Sequence, residues 1–426
     1  MAGPAPKKWH KLDNTANLFP VIAGRDMSNV FRLSAVLTEL VEPTLLQRAL
    51  EETLPHFAAF HVRLRHGLFW SYLEQNDARP QALPEEDEPC RYIDPLETGR
   101  FLFRVVYFRN RVSLETFHVL TDGTGALRFL KALCYRYCQL TWPSRFSSQV
   151  RETLYGLEQA GNVEDGYLKN YIPVEQKVTY KEARAWHVHG ERREGLDTGV
   201  VTLLLPVDAL KAQAHTYGAS VGEYLTAVLM CGLRDVYLPL RGTKRPTSIF
   251  VPVDLRRIFG TDTSANFFAG MNISVAFNGQ PRSFADVVGD VKAQFAEKLT
   301  EDAFRQKLAY TASSEVNPWI RMVPLPLKNG IMRLVYEGSS MGSTTTFSNL
   351  GPVAVEPAFA EYFEGFRFLL STTRQEPIKC TACAYGNTLA LTFMTQLTDN
   401  ALACAVARQF TGSGIQVIVE SGGDLA

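Results

Sequence analysis

The residues best placed to do chemistry are His118 and Asp122, in the stretch His118-Val-Leu-Thr-Asp122-Gly123. The imidazole ends an alternating segment, Arg111 to Phe117, and stands just before an apolar-periodic helix that starts near Gly125. A histidine at a strand end can project into a cavity and exchange protons near neutral pH. The acidic residue and glycine that follow suit a tight turn. Asp122 folds back to brace the loop, and Gly123 takes a conformation that other residues resist. Alone, an HxxxDG string also describes a hydrogen-bonded structural histidine ahead of a helix, so its meaning rests on context.

Three later stretches supply that context: Val251-Pro-Val-Asp-Leu-Arg256, Asn266-Phe-Phe-Ala-Gly270 and Phe347-Ser-Asn-Leu-Gly351-Pro-Val. In this order and at these distances, the four stretches resemble the acyltransferase superfamily that includes chloramphenicol acetyltransferase, BAHD acyltransferases and peptide-synthetase condensation domains. Among its members they look most like free-standing bacterial alcohol acetyltransferases. Pro43-Thr-Leu-Leu-Gln-Arg-Ala-Leu, Leu54-Pro-His-Phe and Phe69-Trp70 resemble the first helix, strand and aromatic turn of that family, so the likeness runs through nearly the whole chain. The resemblance implies an α/β fold of two chloramphenicol acetyltransferase-like subdomains, each a mixed sheet with packed helices, facing each other across a cleft. One departure is Phe117, which stands where condensation domains usually carry the first of two adjacent histidines. The second, to which the chemistry is assigned, is His118, so the loss argues mildly against a peptide-synthetase role.

The activity implied is transfer of an acyl group, acetyl or another short chain, from acyl-CoA as co-substrate to a small-molecule alcohol. Such a reaction needs a base for the hydroxyl, a donor for the oxyanion and an acid for the leaving thiol. One neutral imidazole can be both base and acid, so His118 is expected to act directly, without an acyl-enzyme. The chain is read as having no serine elbow of the GxSxG type, which fits direct transfer. The resemblance implies that Asp122 pairs with an arginine rather than with the imidazole. Arg256 is the candidate, against the plainer reading that it solvates a strand end. For the oxyanion, Ser343, Thr344, Thr345, Thr346 and Ser348 crowd one strand entrance, if Asn349 and Gly351 hold the positions the resemblance implies. Strand alternation puts Thr344, Thr346 and Ser348 on one face, and Thr345 and Asn349 on the other. Ser348 or Thr346 is the favoured donor, and ordinary strand filling is the alternative. Gly123 and Gly351 would let backbone approach a ligand closely, and Asn266 to Gly270 is expected to line the cleft. Two other readings remain: a free-standing condensation enzyme fed by a separate carrier protein, and an inactive ligand-binding member of the fold. No carrier-attachment serine in a Gly-x-Asp-Ser-Leu setting occurs in the chain.

Composition excludes several other classes. Lys plus Arg and Asp plus Glu balance at 44 each, so no global field favours nucleic acid. With 46% hydrophobic and 21% charged residues, the chain can bury a large core. Met1 to His10 has no apolar signal core, and no run approaches the roughly 20 apolar residues of a membrane span. A cytoplasmic protein with no permanently bound cofactor is expected. Seven cysteines, an odd number, suit reduced thiols. Cys380 and Cys383 would point to opposite faces of a strand, and His187-Val-His189 has no acidic or cysteine partner nearby, so no metal is expected.

These groups need a scaffold. The first half, residues 1–175, reads as strand Asn29 to Leu37, helix Pro43 to about Leu54, a strand ending near Tyr72, and an irregular surface loop Asn76 to Asp94. A hairpin of Phe101 to Phe108 with Arg111 to Phe117 follows, then helix Gly125 to Leu140, with Leu127, Leu130, Cys134 and Tyr137 on one face. The second half, residues 176–426, begins with strand Val200 to Leu205 and helix Val207 to about Tyr217. A helix capped by Ser220 and Glu223 comes next, then strands Ser248 to Val253 and Asn272 to Phe277 and a helix opened by Ser283. Thr344 to Leu350, Phe366 to Ser371, Ile378 to Ala384 and Thr388 to Thr395 are expected to complete a second sheet. A helix from about Asn400 and a possible strand Ile415 to Val419 end the chain.

Overall fold

The computed structural model describes residues 8–86, 88–157, 160–173, 183–194, 197–239 and 242–421; the expected division at 175/176 lies outside them. It is a mixed α/β fold. One five-stranded sheet has the order Phe363–Leu370, Val30–Leu37, Arg111–Phe117, Phe103–Phe108, Ala82–Pro84. Its pairs are antiparallel except the last, which is parallel. A seven-stranded sheet has the order Phe268–Val275, Thr247–Asp254, Thr345–Pro352, Ile378–Tyr385, Thr388–Thr395, Gly199–Pro206, Ile418–Ser421. There Thr345–Pro352 runs parallel to both neighbours. A small third sheet joins Trp9–Lys11, Ser71–Gln75 and Val62–His66.

The seven-stranded sheet buries both faces. On one, Cys380, Leu391 and Phe393 enter a core with the helices Val207–Thr216, Val221–Tyr237, Phe284–Lys298 and Ala401–Gly412. On the other, Cys383, Ala390 and Met394 join the core of the five-stranded sheet. Cys380 and Cys383 thus pack into different cores, as strand alternation requires. Helix Val221–Tyr237 begins with the capping box of Ser220 and Glu223, and Ser283 with Asp286 caps Phe284–Lys298 in the same way. Two further long helices, Glu301–Val316 and Leu325–Ser339, and several short ones add to the expected set.

Two expectations are corrected. Phe363–Leu370 is not part of the second sheet: it pairs antiparallel with Val30–Leu37 at the edge of the first. Its aromatic residues Phe366 and Phe368 fill the first core. Alternation along a strand specifies its faces but not its neighbour, so membership of a sheet is invisible locally. Thr381 Oγ donates to Phe368 O, and Cys383 Sγ lies 3.3 Å from Phe366 O, where this strand meets the second sheet. The loop Asn76 to Asp94 is not merely irregular surface either. It contains Ala82–Pro84, and its Glu85 takes hydrogen bonds from Arg32 and, at 3.0 Å, from Arg111. The Cys90 N–H donates at 2.6 Å to Glu115, a fully buried carboxylate that also pairs with Arg32 and Arg104. Buried charges need such partners, and the loop's polar composition serves them.

Candidate active site

Helix Gly123–Thr141 starts two residues before the expected point, because Asp122 is its N-cap and accepts the Gly125 N–H at 3.2 Å. The same carboxylate receives a two-pronged fork from Arg256, Nη1 to Oδ2 at 2.8 Å and Nη2 to Oδ1 at 3.0 Å, and the Phe267 N–H at 2.9 Å. Arg256 also donates from Nε to Thr263 O at 2.8 Å, from Nη1 to Asp254 at 2.9 Å and from Nη2 to Ala265 O at 2.7 Å. These bonds occupy all five guanidinium hydrogens. Burial alone would raise the Asp122 carboxyl, but Arg256 and the backbone donors hold it below the usual carboxylate range.

His118 follows the Arg111–Phe117 strand, with its N–H donating to Asn29 O at 3.0 Å. The ring stacks on Phe19 at 4.5 Å between centroids, meets the edge of Phe31 at 5.0 Å and leans on Phe268 at 5.3 Å. Its Nδ1 is 3.0 Å from Asn266 Oδ1. The tautomer follows from the amide. Asn266 Nδ2 donates to Asp13 Oδ2 at 3.0 Å and to His118 O at 3.1 Å, so its hydrogens are spent and Oδ1 must accept. Nδ1 therefore carries the proton and Nε2 the lone pair. Among the described residues Nε2 has no hydrogen-bond partner. Burial lowers the imidazole pKa and the Lys379 charge pushes the same way, against Asp122 and the Asn266 bond, so the net shift favours the uncharged ring. Asp13, which anchors Asn266, is itself raised to about 7 by burial.

The second half approaches this imidazole from two sides. Asn266 and Phe268 come from the stretch expected to line the cleft, and Leu350 packs on the HxxxDG loop. A Cβ on Gly123 would lie 2.8 Å from Leu350 Cδ2, a contact that a turn of the half-buried leucine side chain would relieve. Positive φ is found instead at Gly351, at 72°. Alternation turns Phe347 into the second core and Thr346 and Ser348 the opposite way. Thr346 donates to Glu376 at 2.9 Å, so its hydroxyl hydrogen is committed. Ser343 donates to the other Glu376 oxygen at 2.6 Å, Thr345 to Ile378 O at 2.6 Å, and Thr344 to Trp186 O at 2.5 Å. The Ser348 hydroxyl has no partner among the described residues. Asn349 is exposed and accepts the Gly351 N–H at 2.9 Å, which shapes the turn rather than the imidazole.

Sequence reasoning missed Asp13, Phe19, Phe31, Glu376 and Lys379. Lys379 lies on the strand face of Thr381, 3.5 Å from Glu376 and mostly buried. None sits in a motif. The reading of the chain as free of GxSxG is also corrected: Gly338-Ser-Ser-Met-Gly342 has that form. Ser340 there begins a single 3₁₀ turn after a helix, and its hydroxyl donates to Glu337 O at 3.0 Å. A nucleophile elbow requires a strand-to-helix turn, so Ser340 is not one. His187 lies in irregular backbone, 3.3 Å from Gln375 O. Among the described residues no cluster of three or more His, Cys, Asp or Glu is placed to hold a metal ion.

No protein-family model matches the sequence, and no curated protein matches it. Solved structures do match. The trichothecene 15-O-acetyltransferase TRI3 of Fusarium sporotrichioides aligns over 96% of this chain and 95% of its own, with TM-score 0.63 and 10% identity. F. sporotrichioides TRI101, solved with coenzyme A and T-2, aligns over 97% and 99%, with TM-score 0.62 and 11% identity. The first condensation domain of the CDA synthetase aligns over 96% and 95%, with TM-score 0.56 and 15% identity. The chain shares its overall fold with these acetyltransferases and this condensation domain.

Two outcomes are expected. Asp122→Asn leaves the buried Arg256 with only the half-buried Asp254 as counter-ion and should cost about 3 kcal/mol of stability, read by denaturant melts; an unchanged midpoint would contradict the bracing role. In the parent this contribution is present above about pH 4 and lost as pH falls through the depressed carboxyl value. Lys379→Met removes a positive charge that lowers the imidazole pKa, so that pKa should rise. The His118 ring signal, followed by NMR against pH, checks the direction.

Proposed function

We propose that the protein transfers an acyl group from acyl-CoA to the hydroxyl of a small-molecule alcohol, with His118 as the direct general base. The observation that carries this reading is the imidazole itself: Nδ1 lies against the Asn266 amide oxygen, Nε2 has no partner among the described residues, and burial disfavours the charged ring. The fold shared with acetyltransferases, one of them solved with coenzyme A, supports it. Nε2 takes the acceptor's hydroxyl proton as the oxygen attacks the thioester carbonyl. The C–S bond then breaks, and the proton passes from the imidazolium to the departing thiolate. Ser348 is the hydroxyl assigned to the oxyanion, since Thr346 is spent on Glu376. Asp122, Arg256 and Gly123 hold the loop, and Asn349 and Gly351 shape the facing turn.

Six of the seven cysteines are buried. Burial pushes the thiols of Cys90, Cys134, Cys138, Cys380 and Cys383 upward, that of Cys383 to about 12. Such thiols are poor nucleophiles, which favours direct transfer over a covalent intermediate.

His118→Ala should fold normally and lose roughly 10²- to 10⁴-fold in turnover with acetyl-CoA and an alcohol panel. Near-normal turnover in a folded variant would sink the mechanism. If turnover is seen only when acyl groups arrive on a carrier protein, the donor assignment fails while the base assignment stands. Direct transfer also requires both substrates together. Acetyl-CoA alone should give neither a burst of free CoA nor an increase in protein mass, and ping-pong kinetics with a trapped acyl-enzyme would refute it.

A further inference from the structure

Helix Leu325–Ser339 contains no buried residue although it is rich in large apolar side chains. Leu327, Ile331 and Leu334 recur at helical spacing and are 63%, 60% and 70% exposed, so the apolar stripe faces outward. The Pro318–Arg321 turn ahead of it exposes Trp319 at 76%. The hairpin tip between Val62–His66 and Ser71–Gln75 adds Leu68 and Trp70 to the same surface. Leu325 N–H donates to Leu68 O at 2.8 Å, and Lys328 Nζ to Phe69 O at 2.9 Å. Large apolar side chains exposed together in this way mark an interaction site.

The charges in these elements choose the partner. Trp9–Lys11, Val62–Gln75 and Pro318–Ser339 carry six basic residues, Lys11, Arg63, Arg65, Arg321, Lys328 and Arg333, against two acidic ones, Glu74 and Glu337. That is a net +4 in a chain whose formal net charge is zero. Trp9 is exposed on the same small sheet, so three of the five tryptophans lie on these elements and face solvent. Outward leucine and isoleucine, tryptophans and a local excess of basic residues match the chemistry of a bilayer surface with anionic headgroups. We propose that this face, centred on helix Leu325–Ser339, docks the protein on an anionic lipid surface.

Docking here would place the site close to lipid. Helix Leu325–Ser339 packs on Phe19–Ile22, and Phe19 stacks on His118. Tyr336 OH lies 3.4 Å from Met27 Sδ in the same layer.

The test is sedimentation of the full chain with vesicles of phosphatidylcholine alone and of phosphatidylcholine with phosphatidylglycerol. Binding is expected to the anionic vesicles, with weakening at high salt and a blue shift of Trp319 fluorescence that Trp319→Phe diminishes. Ile331→Asp with Leu334→Asp should abolish binding. Arg321→Gln with Arg333→Gln, which leaves the apolar stripe intact, should weaken it on the order of tenfold. Melting curves of all variants separate lost binding from lost folding, and the arginine pair carries the test if the aspartate pair does not fold. Absence of binding to anionic vesicles by the parent chain overturns the proposal. So does concentration-dependent self-association that the same aspartate pair removes, which would assign the face to a second copy.

Discussion

The Asp122–Arg256 fork is the interaction on which the rest of the site depends. It is buried, it joins the HxxxDG loop to a strand end 134 residues later, and it leaves no guanidinium hydrogen unused. Its reach extends past the pair. Arg256 holds the carbonyl of Ala265 and Asp122 holds the N–H of Phe267, so the residues on either side of Asn266 are both gripped by the fork. Asn266 in turn holds the imidazole. A charge pair that never touches the imidazole therefore fixes the residue that sets its tautomer.

A buried ion pair of this kind gives little net stability, because desolvating both charges offsets most of their attraction. What it supplies is geometry. A guanidinium fork matches a carboxylate in only one plane, and that plane also serves the helix N-terminus through the Gly125 N–H. The helix start, the loop and the cleft segment consequently cannot move independently.

Much of this was legible in the sequence because it is local. The strand Arg111–Phe117, the hairpin partner Thr388–Thr395 and the Ser220 capping box are each written within a few residues and appear where expected. Arg256 was nameable as the partner of Asp122 because it lies in a motif. The strand Phe363–Leu370 was misplaced because its alternation states which faces are buried and says nothing of the sheet it joins. Asp13 and Lys379 were missed for a related reason. Each is a lone ionisable residue whose role comes from a contact across the fold, Asp13 to Asn266 over 253 positions. Gly123 was read as a conformational glycine, yet the positive φ of this region lies at Gly351 on the facing turn.

The same distinction explains the hydroxyl-rich strand. Alternation correctly sends Thr346 and Ser348 away from the second core, and on that evidence the two are equivalent. They are separated by Glu376, which comes from the turn before Ile378–Tyr385 and takes the Thr346 hydrogen. Glu376 is also the partner of Lys379, whose charge lowers the His118 pKa while Asp122 raises it. Each of these two charges is matched by a counter-ion of its own, Arg256 or Glu376, so neither has to be neutralised by the imidazole. With burial then the largest influence on the ring, the uncharged state is the stable one, and an uncharged imidazole is what a proton acceptor has to be.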